Sequence, residues 1–216
     1  MSLLYCRVPA KPTEQIGKFS GAREVCPKSR THTQRLALAG LFAALSYVVF
    51  TFLQFKIALP GGDATSIHLG NAVVVLGALL LGGPLGGFAG AIGMSIADLM
   101  DPVYIVYAPK TCVLKLGIGL IAGFVAHRIG HIRERTDRRE QGRWAAAAAV
   151  AGLGFNCVFD PLVGYWYKRL LLGKPAAELT LAWNIGATTL NAVLSTVVAV
   201  LVYLALRPAL ERAELI

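Results

Sequence analysis

Long apolar runs broken by short polar punctuation organise this chain. The pattern predicts six helices, at about 35–55, 67–81, 85–100, 109–129, 144–167 and 181–206. A bilayer core of ~30 Å is crossed by ~20 apolar residues in a helix, and four of the runs approach or exceed that length. The second and third are shorter, roughly 15 residues or ~22 Å at the helical rise. They read either as thin tilted helices or as a re-entrant pair entering from one side, and neither choice changes the orientation of the rest. Pro60, Gly61, Gly62 and Asp63 mark a loop at 56–66, GGPLGG at 82–87 marks a turn, and RIGHIRERTDRREQGR ends at Arg143 as a charged loop.

Composition agrees with this pattern. The chain is 56% hydrophobic and 15% charged, where a soluble domain sits near 25% charged, and mean hydropathy is +0.60. The fold class is therefore all-α: a polytopic membrane protein with about six transmembrane helices. Residues 1–34 form a basic tail, 35–208 the membrane domain and 209–216 a short end.

The net charge of +9 does not indicate nucleic acid, because the basic residues sit in short segments flanking the apolar runs. There they set topology and meet anionic lipid. One side collects 15 of the 21 Lys and Arg: seven up to Arg35, six in 128–143, and Arg207 and Arg212. The positive-inside rule places that side, and both termini, in the cytosol. The loops at 56–66, 98–108 and 168–180 then face outward. The first apolar stretch is too long for the core of a cleaved signal.

Cys6, Cys26, Cys112 and Cys157 have no CxxC spacing and no nearby His, so neither a disulfide framework nor a metal site follows. Gly82, Gly86, Gly90 and Gly93 lack the Gly-Lys-Ser/Thr ending of a phosphate loop. Their three- and four-residue spacing fits close helix packing. The four histidines form no HExxH set, and nothing else pairs a nucleophile with a base, so no enzyme and no cofactor are expected.

Ionisable groups in mid-membrane cost about 2.5–3.5 kcal/mol each on insertion scales, so those present should face a protein interior or a wet cavity. Three helices carry them. On the fourth, Thr111 and Lys115 share a face, whereas Lys110 lies about 140° from Lys115, so the two lysines should point apart. Lys110 either reaches outward to water or meets ligand; Lys115, a turn deeper, needs a carboxylate or ligand partner. On the fifth, Asn156, Asp160, Val163 and Tyr167 form one stripe, and Pro161 removes an N–H beside it, which predicts a kink. On the sixth, Asn184, Thr188, Asn191 and Ser195 form another. Interhelical hydrogen bonds or an Asp160–lysine tie would explain each stripe alone. Together they favour a pocket open to the outside, with Tyr104 and Tyr107 at its level. Both tyrosines belong to IADLMDPVYIVYAPKTCVLK, residues 96–115, where loop chemistry gives way to the fourth helix.

The ordered set from Leu36 to Val125 resembles the substrate-binding S components of energy-coupling factor vitamin transporters, especially the riboflavin-type group. LGNA, the GGPLGG turn, ADL, and then the Tyr, Pro, Thr, Lys and Gly of YAPKTCVLKLG carry the resemblance. It implies a six-helix cell-membrane protein that captures a vitamin without an ATPase of its own; riboflavin is the default ligand, and the polar set would equally satisfy pyridoxine, pantothenate or a queuosine precursor. Tyr104, Tyr107, Lys110, Thr111, Lys115, Asn156, Asp160, Asn184, Thr188 and Asn191 are the candidate substrate-binding residues, under a lid at 56–66 hinged on Gly61 and Gly62. It also implies a membrane coupling subunit and two cytosolic ATPases as partners. Ala39 and Ala43 fit the family's Ala-x-x-x-Ala contact with that coupling subunit, and packing within the protein is the competing explanation. The rival function is a stand-alone secondary transporter using Asp160 as an ion or proton site.

Overall fold

The computed structural model describes residues 32–59, 63–173 and 177–213. Most of the basic tail with Cys6 and Cys26, the Pro60–Gly61–Gly62 hinge, Lys174 and the last three residues lie outside the described residues. Among the described residues are six α-helices: α1 (His32–Phe52), α2 (Gly70–Leu81), α3 (Gly83–Leu99), α4 (Ala108–Phe124), α5 (Arg138–Trp166) and α6 (Ala177–Arg212). Wider π-type turns extend α4 over Val125–Ile129 and α5 over Tyr167–Leu171. The order matches the apolar pattern.

Four stretches are long and apolar enough to cross a membrane: His32–Phe52, Ile105–Ile129, Arg138–Leu171 and Thr180–Arg212. The chain is thus a helical, polytopic membrane protein, with four clear spans among the described residues. Their outer surfaces carry exposed Leu36, Val113, Val158 and Leu201, each above 60% accessible, as a lipid-facing surface would.

α2 is different, because all 12 of its residues are buried. At ~1.5 Å per residue it is about 18 Å long, and it serves as the core around which the longer helices pack. α3 is packed on three sides, with small residues at each crossing. A Cβ on Gly86 would lie 2.2 Å from the backbone carbon of Gly77 on α2, and one on Gly119 of α4 would lie 2.2 Å from Gly87. A Cβ on Gly93 would lie 2.1 Å from the Ala43 carbonyl oxygen on α1. Of the four glycines spaced in the sequence, Gly86 and Gly90 thus pack against α2 and Gly93 against α1, whereas Gly82 meets nothing within 4 Å and serves the α2–α3 turn with φ 97°.

Residues 54–68 depart from the expected loop. β1 (Gln54–Leu59) pairs antiparallel with β2 (Asp63–His68), in register from Gln54↔His68 to Leu59↔Asp63. Ile57, Thr65 and Ile67 suit strands. α1 consequently ends at Phe52, three residues before the predicted limit of 55, and α2 starts at Gly70 rather than 67. α5 runs through Pro161 to Trp166.

At the opposite end, Arg207 is not a free terminal charge. It is buried in α6, and its guanidinium donates to the carbonyls of Ile132, Arg133 and Arg135 at 2.6–3.2 Å. This ties the 130–137 loop to α6 and removes one cation from the exposed basic side.

Candidate functional site

The hairpin lies across one end of the bundle. Beneath it is a cavity of about 100 Å³ bounded by β2, α3, α4, α5 and α6. Nine of the ten candidate substrate-binding residues line it: Tyr104, Tyr107, Lys110, Thr111, Lys115, Asp160, Asn184, Thr188 and Asn191. Asn156 stands one layer behind, where its side-chain oxygen accepts a hydrogen bond from the buried Lys115 ammonium at 3.3 Å.

The two lysines of α4 reach the same cavity, contrary to the divergence expected from their angular separation. Their four-carbon stems are long enough to bring the ammonium groups back together. Lys110 Nζ lies 2.5 Å from Asp160 Oδ1, so α4 and α5 are joined by an ion pair in the cavity wall. Thr111 donates to Asp98, a buried carboxylate at the end of α3. Lys115 sits between Asn156 and the fields of Asp160 and Asp98.

The hairpin is fastened at two places. Asn191 of α6 accepts the His68 backbone N–H at 2.9 Å and donates to the Ser66 carbonyl at 2.9 Å. Asp63, at the start of β2, forms a buried ion pair with Lys168 and accepts from the Tyr107 hydroxyl at 2.9 Å. Lys168 also donates to Thr180 Oγ1 at 3.2 Å. On the outer edge, Lys56 of β1 pairs with Asp101 and lies 5.3 Å from the Tyr104 ring centre.

Two uncharged groups complete the lining. Burial pushes the Tyr104 phenol up to about 12, so it remains a neutral donor. Burial, reinforced by the Lys115 charge, lowers the His68 imidazole to about 3, so it is neutral near pH 7. His68 Nδ1 has no hydrogen-bond partner among the described residues although its ring lines the cavity. A buried polar atom without a partner costs ~1–3 kcal/mol, and a polar ligand would satisfy it.

Sequence reasoning did not select Phe50, Thr65, Ser66, His68, Met94, Asp98 or Lys168, all of which line the cavity. His68 and Asp98 were visible as polar residues abutting apolar runs, in IHLGNA and ADL. Thr65 and Ser66 needed the hairpin to be recognised.

Ala39 and Ala43 lie away from this cavity, on α1. Both are half-buried, and both pack against the core. The Ala43 carbonyl meets Gly93. Gly40 and Ala44 beside them are exposed.

A family model described as "ECF-type riboflavin transporter, S component" matches residues 30–208. No curated protein and no solved structure matches the chain.

Proposed function

The chain belongs to the S-component family of ECF-type riboflavin transporters, a membrane substrate-binding subunit without catalysis of its own, and from that premise we propose how it holds its vitamin. Riboflavin occupies the cavity beneath the hairpin, contacting Tyr104, Tyr107, Lys110, Thr111, Lys115, Asp160, Asn184, Thr188 and Asn191, with Asn156 orienting Lys115. His68, Asp98 and Lys168 join this set.

The observation that carries the reading is the charge balance of the lining together with Asp63, which pairs with the lining residue Lys168 from outside it. Lys110 is paired with Asp160 and Lys168 with Asp63, and Lys115 lies in the fields of Asp160 and Asp98. Three cations thus meet three carboxylates. A neutral ligand rich in hydroxyl, imide and carbonyl groups suits such a site better than an anion. Flavin carbonyls and ribityl hydroxyls complement Asn184, Thr188, Tyr104 and the open His68 nitrogen. The same balance weighs against a stand-alone carrier working through Asp160, whose charge Lys110 already meets.

The cavity of about 100 Å³ is below the ~300–1,000 Å³ usual for small-molecule sites. Entry therefore requires the hairpin to lift. Release of the Asn191 and Asp63 fastenings is the motion proposed, with closure over the vitamin re-forming them. The basic ends of the chain stay cytosolic, the hairpin faces outward, and the fully buried α2 lies within the shelter of the other helices. A membrane coupling subunit bound to two cytosolic ATPases then drives reorientation. α1 is the least buried of the four long helices, and its small-residue face at Ala39, Gly40, Ala43 and Ala44 is the proposed contact with the coupling subunit.

The test is ligand binding by the purified full chain in lipid nanodiscs, followed by quenching of flavin fluorescence. Riboflavin should bind in the micromolar range or tighter without ATP. The phosphorylated flavin, which adds a charge to a balanced site, should bind at least ~10-fold more weakly. No binding of riboflavin would overturn the assignment. Uptake by the chain alone into proteoliposomes under a pH gradient would replace it with the secondary-transporter reading.

A further inference from the structure

At the end of the bundle opposite the hairpin, a second cavity of about 740 Å³ opens between the start of α1, the α2–α3 turn and the end of α4. Its wall carries Arg35, Arg128 and Arg133, with His127 and His131 beside them. Glu134 is the one carboxylate among the described residues that line it. That carboxylate is highly exposed and lies 3.7 Å from His131 Nδ1, so it offsets little of the arginine charge.

Two of the basic side chains are anchored to the cavity wall, Arg133 and His127. Arg133 is exposed overall, but its guanidinium donates to the Leu80 carbonyl at 3.2 Å in a part-buried contact. Burial and the neighbouring Arg35 charge hold its guanidinium below the usual range. His127, at the rear, is fixed by a 3.0 Å contact with the Ala78 carbonyl. The first turn of α3, a helix of 17 residues starting at Gly83, abuts the same wall with the positive end of its dipole. Converging cations of one sign repel, and an anion among them turns that repulsion into attraction.

The depth of the cavity indicates which anion. Arg35 lies near the start of the span His32–Phe52 and Arg128 near the end of the span Ile105–Ile129. Both therefore stand where the spans leave the hydrocarbon, at headgroup level. Leu120 and Phe124 of α4 continue the wall toward the middle of the bundle, 43% and 58% exposed. The occupant must be anionic at one end and apolar along the other. Basic pockets between membrane helices hold anionic lipid headgroups by this combination.

We propose that this cavity binds the phosphate headgroup of an anionic phospholipid, with its acyl chains lying along Leu120 and Phe124. Arg35, Arg128 and Arg133 hold the phosphate. The site is separate from the vitamin cavity and does not depend on it.

The experiment uses the full chain purified in mild detergent and titrated with phosphatidylglycerol, phosphatidylcholine or inorganic phosphate. Bound lipid is counted by native mass spectrometry, and thermal unfolding is followed in parallel. Phosphatidylglycerol should bind at one site at least ~10-fold more tightly than phosphatidylcholine and raise the unfolding temperature. The double variant Arg35→Gln/Arg128→Gln should lose that preference. It leaves the Arg133–Leu80 hydrogen bond intact, and unchanged unfolding without lipid shows that it folds. Arg138→Gln/Arg139→Gln, which removes the same charge outside the cavity, should keep the preference. Equal binding of the two lipids, or loss of preference in both double variants, would overturn the site. Stabilisation by inorganic phosphate as strong as by phosphatidylglycerol would overturn the lipid assignment in favour of a free anion. Unchanged lipid binding by Arg35→Gln/Arg128→Gln together with failed assembly with the coupling subunit would overturn it in favour of an acidic protein surface.

Discussion

The His68 backbone N–H donates to the Asn191 side-chain oxygen at 2.9 Å, across 123 positions of chain. With the Asn191 bond to Ser66, this makes one amide the fastening between the hairpin and α6. Asn191→Ala leaves a buried donor and a buried acceptor unmet, at about 1–3 kcal/mol each. Hydrogen exchange across 63–68 should accelerate while α2 stays protected, and riboflavin affinity should fall by ~10-fold or more. Exchange at 63–68 no faster than in the parent would remove Asn191 from this role.

A second prediction concerns the Lys110–Asp160 pair, whose side chains are only 16% and 22% accessible. Breaking a buried pair from one side costs about 3–5 kcal/mol, whereas replacing both partners by apolar groups is often neutral. Because this pair keeps some solvent contact, Lys110→Met alone should cost about 3 kcal/mol or less. Lys110→Met/Asp160→Leu should recover most of that stability and still bind riboflavin poorly. Thermal unfolding of both variants, read beside flavin binding, separates stability from recognition. A double variant less stable than the single one would show that the pair holds α4 to α5 for reasons beyond charge balance.

The helices and most of the cavity were legible because both rest on short-range pattern. Apolar runs marked all six helices, and polar residues inside the runs for α4, α5 and α6 marked the cavity lining. What escaped needed three-dimensional pairing. Lys168 looks like an ordinary loop cation until Asp63, more than a hundred positions earlier, is brought against it. The divergence expected of Lys110 and Lys115 failed because helix geometry fixes Cβ directions but not the reach of a lysine. The short runs at α2 and α3 allowed two readings, crossing or re-entrant, because hydropathy registers α2 as apolar whether lipid or protein surrounds it.

Helix packing gives a third prediction. A Cβ on Gly86 would sit 2.2 Å from Gly77 backbone, while one on Gly154 meets nothing within 4 Å. Overpacking of a tight contact costs roughly 1–3 kcal/mol, and here the obstacle is main chain, which cannot rotate away. Gly86→Ala should lower the unfolding temperature markedly. Gly154→Ala should leave it unchanged or slightly raised through better helix propensity. Equal effects from the two substitutions would mean that α2 and α3 are not held as closely as this contact implies.

The pH dependence follows from His68. Its imidazole is lowered to about 3 by burial and then by the Lys115 charge, with Asp160 opposing. In the unfolded chain the same group titrates near ~6.5. Between those values the unfolded state binds the extra proton, so stability rises with pH. The contribution of neutral burial is complete above pH ~6.5 and is lost as pH falls toward 3, at up to ~1.4 kcal/mol per pH unit. Vitamin binding should therefore show no step from His68 between about pH 6 and 8, because the folded imidazole stays neutral throughout. Unfolding of the ligand-free chain in denaturant should become easier below pH 6.5, and His68→Gln should reduce that slope without abolishing the fold. A parent and variant whose stability falls equally from pH 7 to pH 4 would show that His68 is not held neutral beneath the hairpin.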